Sequence, residues 1–210
     1  AGATVWIAGR RTEALDAVAA GQPRIRPVPC DVTDAASVAE MFEAAGAPEI
    51  VVANAGAAES APFHRTTDAL WDKMLAVNLT GVFLTLREGW ARLRGAPWGR
   101  LIAVASTAGL KGYPYVTAYA AAKHGVVGLV RAAAQETAGT GVTVNALCPG
   151  FLDTEMTGRS VAAIVEKTGL EPEEARARLA ANSPQRRLIR PEEVTAAALW
   201  LCGPGSEGIT

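Results

Sequence analysis

Histidine and cysteine are scarce in this chain. His64 and His124 are its two histidines, and Cys30, Cys148 and Cys202 its three cysteines, in 210 residues. The cysteines are odd in number and widely spaced, which excludes a disulfide framework or a zinc pattern. They read as small buried hydrophobes in a reducing cytoplasm. Neither histidine has partners at metal-ligand spacing, so no metal site is expected. His124 follows Lys123 and is turned from it by about 100° on a helix. No apolar run reaches the roughly 18 residues of a membrane span. The opening residues Ala1-Gly2-Ala3-Thr4 carry no signal-peptide pattern. The formal net charge is −1, and that near balance gives no electrostatic case for nucleic acid or an anionic membrane. Basic residues are dispersed apart from short pairs such as Arg10-Arg11 and Arg186-Arg187. Internal repeats, low-complexity tracts and interdomain linkers are also missing.

What is present is apolar and alternating. Half of the residues are hydrophobic, enough for one globular domain with a sizeable core. Short β-branched runs alternate with Ala-rich helical stretches, which predicts parallel strands joined by helical crossovers. Strands are expected over 4–8, 25–30, 49–53, 100–105 and 141–148. Helices are expected over 12–20, 34–45, 67–94 and 116–137. Prolines in the second strand push it toward an edge. The stretch 151–184 breaks the alternation: it holds two helical patches, 161–167 and 172–181, with no strand between them. The acidic run Glu171 to Glu174 reads as a solvated helix start with Pro172 in its first turn. An insertion at the carboxyl end of a strand lies where open α/β sheets bind ligands. The expectation is a lid, or else a structural cover.

Tyr119 and Lys123 stand four residues apart on the fourth helix and so share a face. A free phenol titrates near pH ~10 and is a poor proton-transfer group at neutral pH. A nearby ammonium favours the phenolate. Bringing the phenol to about 7 needs roughly 4 kcal/mol, at about 1.36 kcal/mol per unit. Ser106, one strand-to-helix connection earlier, can donate to a carbonyl or alkoxide oxygen. Spacing alone also fits a solvated helix, so the neighbouring motifs decide.

Those motifs resemble the short-chain dehydrogenases/reductases of the Rossmann type, in order and over essentially the whole chain. Asp31-Val32 is similar to the pair that contacts the adenine, and Asn54-Ala55-Gly56 to the segment that supports the sheet near the adenine ribose. Asn78 matches the helix asparagine that organises a water path to the lysine. Ser106, Tyr119 and Lys123 match the catalytic serine, tyrosine and lysine. Pro149-Gly150 and Thr154 match the turn and threonine beside the nicotinamide, and Phe151 is counted with them. The resemblance implies a single doubly wound α/β domain in three layers. It also implies roles: Tyr119 as general acid in reduction and base in oxidation, Ser106 orienting the substrate oxygen. Lys123 is then expected to hold the nicotinamide ribose and lower the Tyr119 pKa, with Asn78 anchoring water in a proton relay.

The first strand ends in Gly9-Arg10-Arg11. Relatives that prefer NAD commonly place an acidic residue there to accept from the ribose 2′-hydroxyl. With Gly9 at that point a 2′-phosphate meets no repulsion, and Arg10 and Arg11 can bond it. NADP(H) is therefore the expected cofactor, with NAD(H) possible if the two arginines are simply solvated.

The sequence departs from the family at both ends. It lacks the Gly-rich turn Thr-Gly-x-x-x-Gly-x-Gly that approaches the pyrophosphate, and it stops where the family continues into a final strand. The first family strand is central in the order 3-2-1-4-5-6, so two strands are expected to lose their ladder to the rest. A fragment, or a record with its ends missing, is the expectation. Residues 119–151 are similar to those of reductases of β-ketoacyl thioesters, polyketide ketoreductases among them. The expected reaction is reversible reduction of a ketone to a secondary alcohol. Alternatives are an NAD-linked 3-hydroxyacyl-CoA or other secondary-alcohol dehydrogenase, and a non-catalytic scaffold; a nucleotide-sugar epimerase fits less well. Phe151, Met156 and Val161 either line an apolar substrate pocket or pack in the core. The resemblance implies a homotetramer, with Trp71, Val82, Trp90 and Trp98 as candidate contacts.

Overall fold

The computed structural model describes residues 2–210; Ala1 lies outside them. Five strands form, β1 (Val5–Gly9), β2 (Ile25–Pro29), β3 (Ile50–Ala53), β4 (Gly99–Val104) and β5 (Val142–Leu147), and every pairing is parallel. They make two sheets, β1-β2 and β3-β4-β5. The expected break in the ladder therefore falls between β1 and β3. β2 pairs only with β1 among the described residues, and its Pro27 and Pro29 lie in register with Ile7 and Gly9. That is the edge position its prolines require.

Eight α-helices accompany the strands among the described residues. α1 is Thr12–Ala19 and α2 is Ala35–Ala45, whose first turn is capped by Asp34 accepting from the Ala36 N–H at 2.9 Å. The expected helix over 67–94 is continuous but not uniform. α3 (Asp68–Leu75) passes through a π turn, Ala76–Thr80, into α4 (Gly81–Leu93). By length and composition Asp68–Leu93 could cross a membrane, yet it buries Val82, Leu84, Leu86 and Leu93 in the core. Val82 is therefore a core residue and not a subunit contact, whereas Trp71 is exposed. α5 (Thr117–Thr137) carries Tyr119 and Lys123.

The three layers follow from β4. Neighbouring strand residues point to opposite faces. Leu101 faces α4, where a Cβ on Gly89 would stand 3.0 Å from its side chain. Arg100 faces the other way and donates from Nε to the Leu201 carbonyl at 2.9 Å. Leu201 lies near the end of α8 (Pro191–Cys202), so α8 covers the opposite face. The alternation of elements does not call for α8, although Pro191 in its first turn and Glu192-Glu193 behind it are helix-start signals.

The insertion after β5 holds α6 (Glu155–Thr168) and α7 (Pro172–Ala180), separated by Gly169 in the left-handed region at φ 70°. α6 starts earlier than its expected patch. The insertion is closed at its base: Leu152 bridges Ile189, the Ile189 N–H donates to the Phe151 carbonyl at 2.9 Å, and the Asp153 N–H donates to the Ile189 carbonyl at 2.8 Å.

Candidate active site

β4 ends at Val104, and the chain stays extended through Ser106 before it turns at Thr107. The Ser106 hydroxyl accepts from the Ala108 N–H at 3.1 Å and caps a short 3-10 turn, Thr107–Gly109. This turn is fastened to the end of β5, because the Thr107 N–H donates to the Pro149 carbonyl at 2.9 Å. It also rests on α5. Ser106, Pro149-Gly150 and the first turns of α5 are thus gathered at the carboxyl ends of β4 and β5, the side on which parallel sheets bind ligands.

Lys123 is buried on α5 and points inward. Its Nζ donates to the Val104 carbonyl at 2.8 Å and lies 5.7 Å from the centre of the Tyr119 ring. Burial holds its pKa down to about 8, partly offset by Cys148. Burial also pushes the Tyr119 phenol up, while Ser106 beside it pulls partly back. This corrects the expectation that Lys123 lowers the Tyr119 pKa. Desolvation acts on both groups, and the ammonium is held by a backbone carbonyl and the ring face. Tyr119 at neutral pH is accordingly a protonated phenol, the form that gives a proton.

Asn78 lies in the π turn and is fully buried. Its Oδ1 accepts from the Ala57 N–H at 3.1 Å, and its Nδ2 donates to the carbonyls of Ala57 at 2.9 Å and Met74 at 3.0 Å. Three of the four hydrogen bonds open to the side-chain amide go to the backbone. Asn78 therefore bolts the loop after β3 to the helix, with both Nδ2 hydrogens committed to carbonyls. π turns are rare and gather at functional sites. The loop so held contains Asn54-Ala55-Gly56. A Cβ on Gly56 would meet Asn78 Oδ1 at 3.1 Å and Lys123 Nζ at 3.9 Å, so this backbone runs directly past the candidate catalytic lysine.

The residues expected near the adenosine end come together at the carboxyl ends of β1 and β2. The Cys30 N–H donates to the Gly9 carbonyl at 2.9 Å, which sets Arg10-Arg11 beside Asp31-Val32. Arg10 Nη1 stands 3.9 Å from Asp31 Oδ2, and both side chains are exposed. The Thr33 side chain and backbone N–H, ahead of Arg10, keep the Asp31 carboxyl below its usual range. Val32 packs beneath α4, where a Cβ on Gly81 would come within 2.8 Å of its Cγ2. Thr154 precedes α6 as its N-cap without a side-chain capping bond.

Several residues of the site carry no sequence motif. Val104 and Ala57 act through their backbones, and Gly109 through the lack of a side chain. Tyr113 is another: its hydroxyl is 2.9 Å from Thr107 Oγ1, and its ring meets Phe151 edge to face at 5.7 Å.

A family model described as "Enoyl-(Acyl carrier protein) reductase" matches residues 1–210. The chain is 38% identical over 176 residues to a D-beta-hydroxybutyrate dehydrogenase of Cupriavidus necator, covering 81% of this chain and 68% of that protein. It is 37% identical over 189 residues to a putative ketoacyl reductase of Streptomyces coelicolor, covering 86% and 72%. Among solved structures it superposes on a variant of actinorhodin polyketide ketoreductase with NADPH at a TM-score of 0.91 and 32% identity, covering 99% of this chain and 83% of that one. Fold, motif order and relatives agree: the chain belongs to the short-chain dehydrogenase/reductase family and is an NAD(P)-dependent, ketone-reducing oxidoreductase.

Proposed function

We propose that the protein reduces the ketone of a β-ketoacyl thioester to a secondary alcohol, reversibly, with NADP(H) as the preferred cofactor. The observation that carries this is the gathering of Tyr119 beside Ser106, with the buried Lys123 Nζ 5.7 Å from the Tyr119 ring centre and bonded to the Val104 carbonyl.

The residues present fit a nicotinamide dinucleotide. At one end Gly56 leaves a backbone gap next to Asn78 and Lys123. At the other, Arg10 and Arg11 follow the glycine that ends β1, with Asp31 Oδ2 3.9 Å from Arg10 Nη1. Asp31, Val32, Asn54, Ala55 and Gly56 would hold the adenosine half, with Arg10 and Arg11 on a 2′-phosphate. Tyr119, Lys123, Pro149, Gly150, Phe151 and Thr154 would hold the nicotinamide half. The cofactor supplies the hydride; orientation and proton transfer fall to the protein.

Ser106 donates to the carbonyl oxygen of the substrate and fixes its direction. Tyr119 gives its proton to the same oxygen as negative charge develops there, and takes one back in oxidation. Lys123, charged below pH about 8, would donate to the ribose hydroxyls of the nicotinamide half. A general acid of this kind contributes about 10²–10⁴-fold to the rate. The helices α6 and α7 serve as a lid whose neck is the Leu152–Ile189 bridge. A homotetramer in the cytoplasm completes the proposal.

A second reading is an NAD-linked dehydrogenase of a 3-hydroxy acid or 3-hydroxyacyl-CoA. The Arg10–Asp31 pair supports it, since an arginine engaged by a carboxylate is less free for a 2′-phosphate. The test is consumption of NADPH and NADH with an acetoacetyl thioester, with Tyr119→Phe as control. NADPH-linked turnover lost in the variant is expected. Turnover with NADH alone, or turnover that survives in Tyr119→Phe, overturns the proposal.

A further inference from the structure

We infer that Tyr113 is a specificity-determining residue that restricts the site to compact acyl groups, a reading that rests on the ketone reduction proposed above. Three segments meet at the turn that carries Ser106. The turn itself contributes Thr107, the loop before α5 contributes Tyr113, and the end of β5 contributes Phe151. Thr107 joins the other two: its N–H donates to the Pro149 carbonyl at 2.9 Å, and its Oγ1 lies 2.9 Å from the Tyr113 hydroxyl.

The Tyr113 ring is constrained on several sides. Its hydroxyl is tied to Thr107, its ring meets Phe151 at 85° with centroids 5.7 Å apart, and Lys111 Nζ stands 4.9 Å from its centre. The loop that carries it is pinned farther on, where the Tyr115 carbonyl accepts from the Ala61 N–H at 2.8 Å with Tyr115 at φ 67°. A non-glycine residue in that region is uncommon and strained. A half-buried ring so held loses these contacts if it swings aside to admit a long chain. Phe151 in turn is bonded to Ile189 at the neck of the α6–α7 insertion. The aromatic pair therefore spans the space between the carbonyl-orienting serine and the base of that insertion. On this reading one substituent of a carbonyl held by Ser106 lies against this wall. A methyl or ethyl group fits beside a fixed ring more readily than an extended or cyclic chain.

The experiment compares kcat/KM for 3-oxoacyl thioesters of rising chain length, from acetoacetyl to 3-oxodecanoyl, in the full-length protein. The variants are Tyr113→Val, Tyr113→Leu and Tyr113→Phe. The wild type is expected to favour the short substrate. In Tyr113→Val and Tyr113→Leu that preference should shrink by about 10-fold or more, the span available to a hydrophobic pocket that gains space. Tyr113→Phe should keep most of the preference, because the ring stays between Phe151 and Lys111. An unchanged chain-length ratio in both Tyr113→Val and Tyr113→Leu, with melting temperatures like the wild type, overturns the assignment while leaving the reduction itself standing. If the wild type shows no Tyr119-dependent turnover with any of these thioesters, the proposed reaction falls and the assignment falls with it.

Discussion

Gly109 and Lys123 touch backbone to backbone. A Cβ on Gly109 would lie 2.5 Å from the Lys123 carbonyl oxygen and 2.9 Å from its carbonyl carbon. The missing side chain lets the turn after Ser106 lie directly on α5, and this contact sets the spacing between Ser106 and the Tyr119/Lys123 helix. Gly109→Ala forces a separation that a backbone neighbour cannot absorb by changing rotamer. The expected cost is about 1–3 kcal/mol of stability, read by denaturant unfolding, with kcat/KM falling by more than the unfolded fraction explains. Gly112→Ala is the control, since a Cβ there meets nothing within 4 Å. Wild-type kinetics in Gly109→Ala would show that the turn does not set the site.

Asn78→Ala tests the bolt between the helix and the loop after β3. The substitution leaves the Ala57 N–H and carbonyl without their side-chain partner. A fully buried group so stranded costs about 1–3 kcal/mol, and these two are partly buried. A loss of roughly 2–4 kcal/mol is expected in equilibrium unfolding, together with a raised cofactor KM as residues 54–57 loosen. A stability loss with no change in cofactor KM would confine Asn78 to a structural role.

The sequence makes the strands legible because each is a short apolar run closed by a turn residue or a helix cap. β1 and β3 lie within one residue of expectation for that reason, and Asp34 and Thr67 mark their helices by capping. Ser106, Tyr119, Lys123 and Asn78 are legible as motif residues. What they touch is not. Lys123 bonds a carbonyl 19 residues earlier and Asn78 bonds a loop 21 residues earlier, pairings that no local spacing encodes. The π turn has no local sequence signal either; it holds Asn78, whose partner Ala57 is distant in the chain. The Tyr119 pKa is misjudged from the i, i+4 rule because that rule supplies a neighbouring charge and omits burial.

Lys123 also gives a pH signature. Its ordinary pKa of 10.5 falls to about 8 in the folded chain, so below pH about 8 the fold carries the full cost of a buried ammonium. Between about 8 and 10.5 the unfolded chain binds more protons, and stability from this residue rises with pH. The cost at neutral pH is about 3 kcal/mol at about 1.36 kcal/mol per unit. Lys123→Met removes the titrating group, so its stability relative to wild type should fall steadily as pH is raised from 8 to 10.5. Urea midpoints across that range measure it. A difference independent of pH would mean that Lys123 titrates normally and that the fold does not desolvate its ammonium.

Cofactor choice turns on the exposed pair Arg10 and Asp31. The Asp31 carboxylate is held mainly by Thr33 and only weakly by Arg10, so it stays ionised when Arg10 is removed. Arg10→Ala therefore does two things at the ends of β1 and β2. It deletes a charge-assisted donor to a 2′-phosphate, and it leaves a carboxylate facing that phosphate without its neutralising partner. NADH carries no 2′-phosphate and feels neither change strongly. The NADPH KM should rise about 10-fold or more, the scale of one lost charged hydrogen bond, while the NADH KM moves little. The two effects differ in salt dependence: repulsion between exposed charges is screened within about 10 Å at 0.1 M salt. Part of the NADPH defect should therefore recover as ionic strength rises, and the part due to the lost bond should not. Equal changes in both KM values would mean that the arginines are solvated and that NAD(H) serves as well.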